Sequence, residues 1–440
     1  TYTFKLRNNS HWAMFSGHKA VLGENYEDTF DITVKAEDFK FGIERTLSEQ
    51  TGSADAPLFS AVKSISTPDD FTIVFNLSYA DDNFLYALTN PGAMPCDEEF
   101  FNLTNGKYGL DAKYLLCNGP FHVSKWTEKT SVKLAKNNEY NGESSVSPSS
   151  VTFYINNDDS EVADKMNSVT YDVAFLSSSQ FSSIENKKDL NSVAVQNVTY
   201  SFIFNQNDNN YRNKNMRLAF CRSCDTSSLF DSQSDISKAD GIVPPSCKIG
   251  GEDYRNGNAA ELLSYDETLA KKNFNDALLD LGSSSVETTI LCTEQYEPFV
   301  KQMVQKLQKT LGVKFVSTVK VVSESDLEAA VNDGNYSVAF YPFKAKSSFA
   351  GEIIEGFDQN NIFGYESDVL SQKIRNIKNN SGSLEGERSA VADAENYLVS
   401  EAVIMPVFYE NSYFVTSKKT SGIYFYSSAD NVCFINAKKS

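Results

Sequence analysis

The chain has 440 residues, a hydrophobic fraction of 41%, a charged fraction of 22% and a formal net charge of −18. That length predicts two or three compact units, and no run of about 18 apolar residues is present to cross a membrane as a helix. The acidic balance repels phosphate backbones and anionic surfaces, which argues against nucleic acid as a partner and allows weak steering of cationic solutes.

Thr1 opens directly in a strand pattern. No signal peptide or lipid-attachment cysteine stands at the start, so a removed leader is expected. Tyr2, Phe4 and Leu6 alternate with polar neighbours, the period of a half-buried strand. Lys35 to Leu47 predicts a helix, with Phe39, Ile43 and Leu47 four apart and Glu37 and Asp38 at the positive end of its dipole. Thr67-Pro68-Asp69-Asp70 predicts a turn, and Phe71, Ile73, Phe75 and Leu77 a strand. Val132 to Ala135 and Val151 to Ile155 read as strands around a polar loop, Asn137 to Ser150.

From about Asn205 helices and strands alternate. Leu269 to Leu281 is amphipathic and stopped by Gly282; Thr288 to Cys292 is a strand. Val300, Val304, Leu307 and Leu311 mark a helix stopped by Gly312, and Val313 to Val322 returns as a strand. A helix starts at Ser323, and Tyr336 to Tyr341 is a further strand. Such alternation predicts an α/β lobe.

Catalytic patterns are missing. The sequence has no phosphate-cradling glycine loop, His-Glu-x-x-His helix or Gly-x-Ser-x-Gly elbow. Its three histidines, His11, His18 and His122, are scattered, and histidine is the usual general base near neutral pH. A carboxylate hydrolase stays open only because 58 acidic residues always supply some pair. Cysteines number seven, at 96, 117, 221, 224, 247, 292 and 433, too sparse for a disulfide scaffold. Cys221-x-x-Cys224 is the best metal or redox candidate. No fourth Cys or His lies near for zinc, and two small buried side chains is the simpler reading. The 31 Phe and 22 Tyr are mainly core material, with a fraction available to line a pocket.

Several segments, in order, resemble family 5 of the bacterial extracellular solute-binding proteins, the oligopeptide-, dipeptide- and nickel-binding components of ABC importers. Thr1 to Arg7 with Trp12 is similar to the family's signature strand, and Val34-Lys35-Ala36-Glu37-Asp38-Phe39 with Glu44-Arg45 to its first helix. Ile65 to Phe75 and Asn83-Phe84-Leu85-Tyr86 resemble its Pro-Asp turn, strand and sequel. Asn118-Gly119-Pro120-Phe121 with Trp126, and Leu134 through Asn137 to Tyr140, resemble its next strands. Phe202 to Asn205, Met216 to Phe220 with Asp225, Arg388 with Ala394-Glu395 to Leu398, and Ile404 to Tyr409 complete the likeness.

The resemblance implies a two-lobed mixed α/β fold of the periplasmic-binding-protein type, class II and cluster C, with an extra subdomain and with the N-terminal part missing. It implies residues 1–116 as the subdomain, 117–205 with 412–440 as the core of lobe one, and 206–411 as lobe two. A peptide or peptide-like solute would be held through main-chain hydrogen bonds and hinge closure, then passed to permease subunits. The implied binder is a monomeric lipoprotein on the outer face of the membrane, or periplasmic, and needs no cofactor or metal.

Implied pocket residues are Asn90, Asn205, Phe343, Lys344, Lys346, Tyr409 and Glu410. Peptide binders of the family carry a Trp…Asp segment whose aspartate pairs with the ligand's α-amino group. Here Tyr341 to Phe349 holds no Asp and two lysines, so an anionic ligand group becomes attractive and Glu410 is the alternative carboxylate. Lys35 replaces the usual threonine N-cap, and its side chain cannot accept from the helix N–H groups. Alternatives on the same fold are an oligosaccharide or metal-chelate binder and a surface receptor or adhesin without transport. Trp12 and Trp126, the only tryptophans, stand at structural positions, which leaves sugar stacking little support.

Overall fold

The alternation of Tyr2, Phe4 and Leu6 builds β1 (Tyr2–Lys5). The computed structural model describes residues 1–53, 55–79, 84–142, 144–155, 159–226, 229–230, 234–345, 349–358, 361–380, 382–426 and 431–440. Two compact units divide it: residues 1–158, 419–424 and 433–440, and residues 159–418 with 425–432.

In the first unit β1 leads, through irregular chain, to the helix α1 (Ala36–Leu47), then to β2 (Val62–Asp69) and β3 (Thr72–Leu77). The sheet order is β1-β3-β2, all antiparallel. Ile43 of α1 packs with Phe59, Ile73, Phe75 and Phe84. The expected turn at Thr67 to Asp70 falls later: β2 runs through Pro68, where the ladder slips between Ser66 and Asp69. Proline has no N–H to give a ladder, so it sits at such an irregularity. Lys35 makes no side-chain cap; instead the Asp38 carboxylate accepts the Lys35 N–H at 2.8 Å, the returning half of a capping box. A second antiparallel sheet follows, β4 (Phe121–Thr127), β5 (Ser131–Lys136) and β6 (Ser150–Tyr154), in that order. Trp12 is buried, whereas Trp126 on β4 is 47% exposed.

In the second unit a helix, Asp159–Asn167, precedes β7 (Val173–Ser177), and β8 (Leu190–Val195), β9 (Val198–Phe204) and α2 (Lys214–Arg222) follow. Then come β10 (Ile236–Lys238), α3 (Glu267–Leu281), β11 (Val286–Thr293), α4 (Glu297–Leu311), β12 (Phe315–Val322) and α5 (Glu324–Asn332). Later come β13 (Val338–Lys344), α6 (Asp368–Asn379), α7 (Leu384–Ser400), β14 (Ile404–Glu410) and β15 (Ser412–Ser417). Six strands form one sheet in the order β10-β14-β9-β13-β11-β12; β7, β15 and β8 form a smaller one with β15 central. The β11 pairings with β12 and β13 are parallel, as the α/β pattern predicts.

Alternate residues of β9 feed different cores. Phe202 and Phe204 pack with Phe220, Phe274 and Val300, while Ile203 packs with Tyr254, Leu370 and Leu398. This is why Val198 to Phe204 reads as a nearly unbroken apolar run: both faces of the strand are covered. Asn205, after which a boundary is expected, follows β9 inside the second unit, and β9 pairs there with β13 and β14 on either side.

Candidate functional site

Strand β9 is the spine on which the expected pocket residues are arranged. Thr199 pairs with Phe343 of β13 on one side and Tyr409 of β14 on the other. Val198 pairs with Lys344, and Glu410 is the residue after Tyr409. Four of the seven expected residues thus meet at one end of the six-stranded sheet.

Strand alternation sorts them by face. Phe343 and Tyr409 point with Thr199 into the protein. Phe343 is 9% exposed and rests on Phe357 and Phe363 with centroids 5.7 and 5.8 Å away. Tyr409 is 3% exposed, and its hydroxyl accepts the Asp240 N–H at 3.0 Å. Lys344 and Glu410 belong to the other face, with Tyr200. Lys344 is exposed and Glu410 half-buried. The Tyr296 hydroxyl donates to Glu410 Oε1 at 2.7 Å, and its ring lies 4.4 Å from that of Tyr200. Beneath them Phe340, Phe408 and Phe299 form an aromatic floor. Burial first, then the Glu410 charge, hold both phenols well above the usual tyrosine range, so both stay neutral beside the carboxylate.

The remaining expectations fall elsewhere. Asn205 follows β9 at its opposite end, roughly 20 Å away at strand rise, and its amide is committed to the fold. It donates to the Gly334 and Tyr336 carbonyls, both at 2.8 Å, and accepts the Asn207 N–H at 3.0 Å. Asn90 lies in the first unit, where its amide donates to the Tyr86 carbonyl at 3.1 Å. Lys346 lies outside the described residues, as does Asn83.

Gln196 and Asn411 escaped the sequence reading. The chain passes between the small and large sheets twice, from β8 to β9 through Gln196-Asn197 and from β14 to β15 through Asn411. Gln196 Nε2 donates to Asn411 Oδ1 at 2.8 Å and to Ser237 Oγ at 2.9 Å, and Ser237 donates to Asn411 at 3.1 Å. The available signal was the polar break in each apolar run: Val195-Gln196-Asn197-Val198 and Glu410-Asn411-Ser412. Among the described residues, no three His, Cys, Asp or Glu side chains come together to hold a metal, and no helix is long and apolar enough to cross a membrane.

A model of the bacterial extracellular solute-binding proteins, family 5 Middle, matches residues 1–363. The chain belongs to this family. A curated relative is the dipeptide-binding protein DppE of Bacillus subtilis, 22% identical over 96% of this chain and 78% of that protein. The oligopeptide-binding protein AppA of the same organism is 20% identical over 82% of this chain and 69% of its own length. Among solved structures, the substrate-binding domain of a Bacillus anthracis oligopeptide ABC transporter matches with a TM-score of 0.78 at 18% identity, covering 100% of this chain and 87% of that one. Listeria monocytogenes OppA bound to peptide matches at 0.76 and 20%, with coverages of 100% and 87%. These likenesses show the two-lobed periplasmic-binding-protein fold that the sequence motifs imply. A family 5 solute-binding protein is what the ordered motifs of this chain encode.

Proposed function

We propose that this family 5 protein captures a peptide or peptide-like solute outside the cell and hands it, chemically unchanged, to the permease subunits of an ABC importer. The observation that carries the reading is the likeness to a dipeptide-binding protein over 96% of the chain. The sheet end supports it with both charges that a zwitterionic solute requires: the Glu410 carboxylate, braced by Tyr296, for an ammonium, and Lys344 for a carboxylate. Glu410 takes the role that an aspartate after β13 would otherwise fill. The passages at Gln196-Asn197 and Asn411 serve as the pivot, and closure is favoured only by as much as the solute prefers the closed state. The protein acts as a monomer at the outer face of the membrane, or in the periplasm.

Thermal melting against di- to hexapeptides, free and with blocked amino termini, with oligosaccharides and nickel as further arms, tests this. Binding to the folded state raises the midpoint by mass action. A rise of several degrees with free peptides and less with amino-blocked ones is expected. A rise with sugars or nickel alone would overturn the peptide reading and leave the family fold standing.

A further inference from the structure

The Cys-x-x-Cys pair has no part in the proposed solute site. Cys221 lies in the last turn of α2, and Cys224 follows the C-cap, Ser223. Both thiols are free, and the residues are 2% and 4% exposed. They stand on the wall of a cavity of about 220 Å³ that α2, β10, the chain leading into α3, the end of α7 and β14 enclose together. The Ala239 N–H donates to the Val407 carbonyl at 3.1 Å and ties the end of β10 to β14 there. The cavity is divided in its chemistry. Its floor is buried and apolar, made of Cys221, Cys224, Ala239, Val399, Ile404 and Val407. Its mouth is polar: Lys238, Ser264 and Tyr265 are exposed, and Asp225 and Thr226 half-buried. Among the described residues, the lining includes none of Phe343, Lys344, Tyr409 and Glu410.

We propose that this cavity binds a single free amino acid with an aliphatic or thioether side chain, leucine and methionine being representative, at a site separate from the one proposed for peptides. Size sets the first limit. Close-packed interiors leave few voids larger than a water, so a space of this volume is exceptional. It exceeds the roughly 150 Å³ that holds benzene and falls short of the roughly 300 Å³ at which sites for larger ligands begin. That admits one amino acid and excludes a dipeptide. Charge sets the second limit. The mouth carries one cation, Lys238, and one anion, Asp225, so it complements a zwitterion and sets a plain amine or a plain carboxylate against a like charge. Lys238 forms no ion pair among the described residues, and its ammonium is placed to take the ligand's carboxylate. The floor sets the third. Its side chains offer no donor or acceptor stronger than a thiol, so the group that enters is apolar; a polar one would give up its water without replacement.

The test is calorimetric titration of the whole chain with L-leucine and L-methionine, beside glycine, 3-methylbutylamine, 4-methylpentanoate and L-leucyl-L-leucine. One equivalent of leucine or methionine with a Kd below about 1 mM is expected. The amine and the carboxylate should each bind at least about tenfold more weakly, since each loses one of the two charges. Thiol labelling of the unaltered protein locates the site without any variant: leucine should slow alkylation of Cys221 and Cys224, which line the cavity, and leave Cys247 and Cys292, which do not, at their free rates. That readout is independent of whether the sheet end at Glu410 takes peptides. Lys238→Met, an exposed change that keeps the aliphatic stem, should weaken leucine about tenfold, and Lys320→Met on β12 should leave it unaltered. Absence of leucine and methionine binding at 10-fold the stated Kd, on the order of 10 mM, would overturn the proposal. So would equal binding of glycine, protection of thiols other than Cys221 and Cys224, or the same loss in Lys238→Met and Lys320→Met. Dipeptide that slows alkylation of the two thiols as well as leucine does would overturn it too.

Discussion

Glu395 of α7 is 1% exposed and holds five hydrogen bonds. It accepts from the Ile242 and Val243 N–H groups at 2.7 and 2.9 Å, the Tyr254 hydroxyl at 3.1 Å, and both terminal nitrogens of Arg255. Glu395→Ala leaves a buried guanidinium without its counter-charge, so urea unfolding should show a loss of about 3–5 kcal/mol. Asp38 works in the opposite sense. Burial raises its pKa from 3.8 to about 6, outweighing the Lys35 N–H that favours the charged form. The fold prefers the protonated acid, so its contribution is complete below the unfolded value and is lost as pH rises through about 6. Asp38→Asn keeps an acceptor for Lys35. It should gain about 2 kcal/mol at pH 7.5 relative to the parent and nothing near pH 3.5. His18 gives the mirror image. Burial, with a smaller contribution from His122, lowers it from 6.5 to about 4, so its stabilisation is full above 6.5 and lost as pH falls through 4. His18→Gln should therefore flatten the acid limb of the melting profile. At the proposed solute site, Glu410→Gln should weaken peptides with free amino termini about tenfold in Kd and spare N-acetylated ones, measured by calorimetry.

At the scale of the element, glycines separate structural need from convenience. Gly282 ends α3 with φ of 62°, the left-handed conformation in which the N–H returns to the last turn. Gly119 has no such φ and nothing within 4 Å of an added Cβ. Gly282→Val should cost about 1–2 kcal/mol, whereas Gly119→Ala should stay within about 0.5 kcal/mol of the parent. Helix stops such as Gly282 and Gly312 were legible because local chemistry sets them. Expected strands at Thr288 to Cys292 and Val313 to Val322 correspond to β11 and β12, with ends shifted by a few residues. The turn misplaced at Thr67 shows the limit: Pro68 signals a break in pairing, and only the partner strand decides whether that break is a turn or a slip. The passage before β9 was missed for a similar reason. Gln196 and Asn411 lie far apart in sequence, and their bond exists only once β9 and β14 are paired. The same holds for Tyr296, whose link to Glu410 joins the start of α4 to the end of β14.

For the whole molecule, motif order carried more than any single motif. Weak signals from Tyr2 to Tyr409 point to one family because their sequence along the chain is improbable otherwise, and the family match over residues 1–363 agrees. The proposed solute site was less legible. Phe343, Lys344, Tyr409 and Glu410 meet because three strands end together, while Asn205, on the same spine, is consumed by backbone bonds. Residue type named candidates; register decided which of them share a sheet end. The central claim is peptide capture. Native mass spectrometry of the purified chain in an equimolar mixture of di- to hexapeptides, oligosaccharides and nickel tests it most directly. The account predicts a one-to-one complex with peptides bearing free termini, diminished in Glu410→Gln. A spectrum in which only sugar or nickel adducts persist would contradict it.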